Sequence, residues 1–196
     1  MLNLLAKSAV LLLILGLTMP HASAKLIPTE AEQLESLNMV LGGPHYRVNK
    51  RQLQRIGPSV GKLLVIVASE PRNTPTIRTR AVASLRVFPN TRTRRYLDGA
   101  LYDPELRKTS FGTMLRREAM YSLAVGFRGD SVTALDNHRG DANPQIREGC
   151  ARALGATQSA RALQILEAWL PHEPELFVRV AVDEALVTLR RSLKSP

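Results

Sequence analysis

The chain has 196 residues, with 27 Lys and Arg against 17 Asp and Glu, a formal net charge of +10 and one cysteine. A lone thiol excludes an internal disulfide, so packing must hold the fold together. The positive balance favours partners that carry negative charge.

Met1 to Lys7 lead into an apolar run from Ala9 to Leu17, then Pro20, then small residues ending Ala22-Ser23-Ala24. That order is the n-region, h-region and cleavage site of a secretory leader. The apolar run is about a dozen residues, where a membrane-crossing helix needs about 20. The expectation is a leader over residues 1–24, cleavage after Ala24, no transmembrane span after its removal, and a periplasmic or secreted protein. About 170 residues then remain, the size of one ordinary domain.

Residues 25–58 read as an N-terminal helical cap. Thr29 with Glu32 makes a capping box, and Leu34, Leu37 and Leu41 recur at helical spacing until Gly42-Gly43-Pro44. A second short helix around Lys50 to Ile56 ends at Gly57-Pro58.

Residues 59–196 repeat. Ile77 to Leu85 (IRTRAVASL), Leu115 to Leu123 (LRREAMYSL), Ile146 to Leu154 (IREGCARAL) and Val178 to Leu186 (VRVAVDEAL) superpose at spacings of 38, 31 and 32 residues. Position one is aliphatic, position two is Arg (Arg78, Arg116, Arg147, Arg179), position five is small or apolar, and position nine is Leu. Positions one, five and nine share one stripe of a helix, so each segment buries one face. Before each lies a second helical candidate: Val60 to Ala68, Thr93 to Tyr102, Ser131 to Leu135 and Ala160 to Leu170. Lys62 to Ala68 also has the β-branched content of a buried strand, and its place in the repeat frame selects helix. Pro71 and Pro75, Asp103-Pro104, Asn143-Pro144, and Pro171 with Pro174 break the pairs, because proline lacks an N–H and clashes with the preceding turn.

A helix, a proline-bearing turn and an apolar-Arg-x-x-Ala-x-x-x-Leu helix, as in LRREAMYSL, resemble HEAT repeats and the short HEAT-like repeats of phycobilisome lyase subunits. The resemblance covers about residues 59 to 190 and implies an all-α chain, an α-α superhelix of about four HEAT-like hairpins behind the cap. It implies too that an Asp in a turn pairs with the helix Arg of its own or the neighbouring repeat. Asp141 lies close before Arg147, whereas an insertion from Leu106 to Gly112 separates Asp103 from Arg116, which confines such pairing to the third repeat. A non-repetitive helical bundle is the alternative architecture.

No catalytic constellation stands out, and the expectation is a chain that is not an enzyme and takes no cofactor, metal or small-molecule substrate. Hydroxylases that resemble deoxyhypusine hydroxylase hold iron on several His-Glu pairs of a HEAT-like scaffold. This chain has one, His172-Glu173, too few to complete a coordination sphere. The loop Asp136-Asn137-His138-Arg139-Gly140-Asp141 lacks the distal Glu of a calcium loop and reads as a solvated turn. Cys150 reads as a small buried hydrophobe and Trp169 as a packing residue.

Charge is the informative local feature. From Pro71 to Leu97 there are seven arginines (Arg72, Arg78, Arg80, Arg86, Arg92, Arg94, Arg95) and no acidic residue. The block predicts a positive patch at one end of the repeat stack, and guanidinium groups bind carboxylate and phosphate in bidentate fashion. The expected function is a scaffold that binds another protein, an acidic one, through these residues with Arg116, Arg147 and Arg179. The alternative partner is an anionic envelope polymer, lipid head group or nucleic acid on the Arg72 to Arg95 patch. Sparse aromatics and the leader disfavour nucleic acid.

Overall fold

A computed structural model describes residues 27–194; the expected leader over residues 1–24 lies outside them. Thr29 opens helix α1 (Glu30–Gly42) with the reciprocal bonds of a capping box, its hydroxyl accepting from the Glu32 N–H and its own N–H donating to the Glu32 carboxylate at 2.7 Å. Helix α2 (Lys50–Ile56) starts on the Asn49 side chain and stops at Gly57, whose φ of 150° suits glycine.

Four hairpins follow. Helices α3 (Val60–Ser69) and α4 (Pro75–Leu85) form the first, and α5 (Thr91–Tyr102) and α6 (Ser110–Phe127) the second. Helices α7 (Val132–Asp136) and α8 (Pro144–Ala156) form the third, and α9 (Ala160–Trp169) and α10 (Leu176–Lys194) the fourth. Lys62 to Ala68 lies inside α3, which settles strand against helix. Thr74, Asn90, Thr109 and Asn143 each accept an N–H of the helix that follows, so the turns start helices as well as ending them.

The second helices α4, α6, α8 and α10 pack one on the next, α3 packs on α5, and α7 on α9. The chain is therefore an α-α solenoid of stacked hairpins with α1 laid against α3 and α4. The predicted stripes form its core: Ala81 and Leu85, Leu115, Ala119 and Leu123, Ile146, Cys150 and Leu154, and Val178, Val182 and Leu186 are buried, while Ile77 is half-buried. The Leu106 to Gly112 insertion is a 3-10 turn (Leu106–Lys108) running into the start of α6. Gly112 is required there, because a Cβ would collide with the Leu106 carbonyl. No described helix is long and apolar enough to cross a membrane.

Candidate functional site

The register arginines prove to be internal staples. Arg116, 2 % exposed, donates from Nε to the Leu101 carbonyl at 3.1 Å and from its other arm to Asp141 at 2.7 Å. Arg147 reaches forward in the same way to Glu173 at 2.8 Å and binds the Asp141 carbonyl at 3.0 Å. Asp141 thus pairs with the arginine of the preceding hairpin and gives Arg147 only its backbone oxygen. The ladder expected within the third repeat is instead a ladder between repeats, and it extends beyond that repeat.

Its two ends differ for a structural reason. Arg78 keeps the bond to the preceding helix end, from Nε to the Ala68 carbonyl at 3.0 Å, but meets the insertion in place of an acid, its guanidinium lying 4.9 Å from the Phe111 ring centroid. Arg179 has no further described hairpin ahead and turns back to the Glu173 and Pro174 carbonyls at 3.1 and 2.8 Å. Glu173 is buried and also accepts the Trp169 indole N–H at 3.1 Å. Burial opposes its charge, but Arg147, the Glu175 N–H and Trp169 outweigh that and hold its carboxyl below the usual range. The acid of the single His-Glu pair is thereby occupied, and Trp169 is a hydrogen-bond donor besides a packing residue.

The arginine block is largely consumed as well. Arg80 donates to the Leu41 and Gly43 carbonyls and lies over Tyr46. Arg86 faces Glu118 at 3.6 Å and the Tyr121 ring at 5.6 Å. Arg94 pairs with Asp98 at 2.6 Å and covers Phe127. Arg72, fully out in solvent, lies 3.7 Å from Glu70. Only Arg92 and Arg95 of the seven stay exposed without a hydrogen bond or ion pair to a described residue. A stretch without acids thus finds most of its bonding partners in helix-end carbonyls, aromatic faces and carboxylates from outside it. Arg78 and Arg95 do line one cavity of about 560 Å³ with Tyr96 and Tyr102. Burial there pushes the Tyr96 hydroxyl up to about 12.

The predicted loop around Asp136 to Asp141 is not simply solvated. His138 is 3 % exposed, its Nδ1 is 4.0 Å from Asp141, and Tyr102 lies tilted against its ring. Burial, with the Arg116 charge behind it, lowers its basicity. Cys150 is buried and burial pushes its thiol far up, so it stays protonated. No three His, Cys, Asp or Glu side chains converge as metal ligands among the described residues.

What sequence reasoning missed is the face opposite the buried stripe. Register positions three and seven of the signature helices come together across α6, α8 and α10. Arg117 at position three pairs with Glu148 at position three, and Arg152 at position seven reaches Glu184 at position seven at 3.1 Å. Glu148 also binds Arg152, so the two rungs join. Between the rungs runs a groove with a floor of small residues, Gly149, Gly155, Ala156, Ala181 and Ala185. Tyr121 and Val125 of α6 and Val187 of α10 stand exposed along it. Its largest cavity holds about 520 Å³, and Tyr121 lines that cavity and both of its neighbours. The available signal was the change of chemistry at position seven, from Ala83 to Tyr121, Arg152 and Glu184.

Fold and groove define the class: an α-helical solenoid whose second helices present a mixed apolar and charged trough. No family model and no curated protein sequence matches the chain. Among solved structures it is similar to that of human deoxyhypusine hydroxylase in complex with glycerol, at 16% identity and a TM-score of 0.38, over 81% of this chain and 96% of that one. That neighbour is an enzyme by name, and on this finding the expectation that the chain has no enzymatic activity is withdrawn.

Proposed function

We propose that the chain is an exported repeat scaffold of HEAT-like kind, with residues 25–58 as cap and 59–196 as repeats, and that it holds a polypeptide partner in the trough over α6, α8 and α10. The observation that carries this reading is Tyr121, an exposed aromatic at the point where the trough's cavities meet, beside a floor without side-chain bulk. A rigid aromatic anchor amid small residues and arginines is the composition of a binding hot spot. The joined rungs Arg117, Glu148, Arg152 and Glu184 offer both charge signs along its walls and select a partner with matching polar flanks.

Photo-crosslinking tests it. A photoreactive phenylalanine analogue at Tyr121, expressed with the leader intact, is expected to give discrete adducts with envelope protein. Placing Ala156→Arg in the floor abolishes them while far-UV circular dichroism stays unchanged. Adducts that persist with the arginine in place, or their absence from the start, overturn the reading.

A further inference from the structure

The turns inside the four hairpins are built alike. Glu70, Asp103, Asp141 and Glu173 each accept the N–H of the residue two further on, at 3.0, 2.8, 2.9 and 3.1 Å. Asp141 and Glu173 also take an arm of the register arginine one hairpin back, Arg116 and Arg147. By that pattern Asp103 belongs to Arg78, whose Nε holds the Ala68 carbonyl as the Nε of Arg116 holds that of Leu101. This rung does not form. Arg78 makes no ion pair with a described residue, and the Phe111 ring of the insertion lies against its guanidinium instead.

The cavity of about 560 Å³ opens at this place, with both Arg78 and Asp103 in its lining. Small-molecule sites span about 300–1,000 Å³ and are mostly apolar with a few polar groups. Arg95 adds a second guanidinium to the lining; it is exposed and bonds no described residue. The Tyr96 hydroxyl, beside Ser69, adds a donor that keeps its proton. Leu106 and Leu115 supply apolar wall. Two guanidinium groups against the one carboxylate of Asp103 leave a single positive charge in the lining uncompensated.

We propose that this cavity binds a small organic monocarboxylate with an apolar body, its carboxylate taking on Arg78 the place that Asp141 takes on Arg116 and Glu173 on Arg147, with Arg95 as its second cation. A doubly charged phosphate is less well matched, since Asp103 repels the charge left over. The cavity shares no lining residue with the trough over α6, α8 and α10, so the site stands whether or not the trough holds a polypeptide.

The purified chain is titrated with four probes: 3-phenylpropionate, its uncharged amide, inorganic phosphate, and glutamate blocked at its α-amino and α-carboxyl groups, which stands for a protein side chain. Binding is followed by nitrogen-15 NMR. The phenylpropionate is expected to bind tightest and to move the Nε–H signal of Arg78, which the Ala68 carbonyl holds in place. Arg95→Gln should weaken it about three- to fivefold, on the scale of an exposed ion pair. Arg78→Gln should weaken it about tenfold or more, on the scale of a hydrogen bond to a charged group. Asp103→Asn removes a like charge while keeping an oxygen for the Glu105 N–H, and should tighten binding about threefold. Arg161→Gln, which removes an exposed cation from α9, should change nothing. Because Arg95 is exposed, its variant reads the site even if Arg78→Gln, which also gives up the Ala68 carbonyl, unfolds. Equal binding of the amide, of phosphate or of the blocked glutamate, the absence of a saturable shift at Arg78, or an unchanged affinity in Arg95→Gln overturns the proposal.

Discussion

Arg116 illustrates how a residue type can mislead. A guanidinium is expected at the surface, yet this one lies 2 % exposed between a helix-end carbonyl and Asp141, with His138 beside it. The group has a definite pH sense. His138 has its basicity lowered by burial and by Arg116, so its contribution is present above the unfolded value of 6.5 and falls away as pH drops below it. Around it stand Tyr102 from α5, Arg107 from the insertion, Arg116 from α6 and Asp141 from the turn before α8. Burial opposes the charge of Asp141, but Arg116 and the Asn143 N–H hold its carboxyl below the usual range. Its contribution is complete above 3.8 and is lost as pH falls through the lower folded value. Both losses run the same way. The melting temperature is expected to decline by a few degrees from pH 7.5 to 5.5, and more steeply below pH 4, by thermal melts in matched ionic strength. His138→Gln should flatten the upper part alone; an unchanged slope between pH 7.5 and 5.5 in that variant defeats the assignment.

At the scale of the helix, α8 shows why closeness matters more than bulk. Gly155 lets α10 come so near that a Cβ on it would lie 2.8 Å from the Cβ of Ala185 and 2.9 Å from its Cα, which is backbone and cannot yield. Gly99 in α5 has nothing within 4 Å of a Cβ. The same substitution should therefore act with opposite sign. Gly155→Ala is expected to destabilise by about 1–3 kcal/mol through overpacking, despite the helix preference for alanine. Gly99→Ala should stabilise by about 0.5–1 kcal/mol. Urea titrations of the two variants check the pair. These elements also show what could be read beforehand. The stripe of Leu115, Ala119 and Leu123 declared itself by its period of four, and the capping box by its two residues, because both depend on local spacing. The partner of Arg116 lies 25 residues on and that of Arg147 lies 26 residues on, distances set by how hairpins stack. Likewise the trough exists only once Arg117, Arg152 and Gly155 from neighbouring hairpins are side by side. Charge counted along Pro71 to Leu97 saw the cations and not the carbonyls and rings that absorb them.

Across the whole molecule, stability in a stack is close to a sum of hairpin terms and neighbour interfaces, so an end depends on what covers it. The N-terminal helices cover α3 and α4 with Leu37, Leu41, Leu53 and Ile56, all buried. Directional bonds fasten them: Arg80 to the Leu41 and Gly43 carbonyls at 2.6 and 2.8 Å, the Ser59 N–H to Gln33 at 2.9 Å, and Tyr46 to Ser84. A chain beginning at Ser59 loses this burial, at about 1.5–3 kcal/mol for each large aliphatic side chain, and leaves the carbonyl-binding arm of Arg80 without acceptors. Loss at one end of a nearest-neighbour stack should not spread evenly. Amide hydrogen exchange is expected to show protection collapsing in α3 and α4 and largely kept in α8 and α10, which share the most extensive packing with each other. A truncated chain that melts as one unit, with protection falling equally in all four hairpins, would mean that cooperativity spans the solenoid and that the cap serves the whole stack rather than its first member.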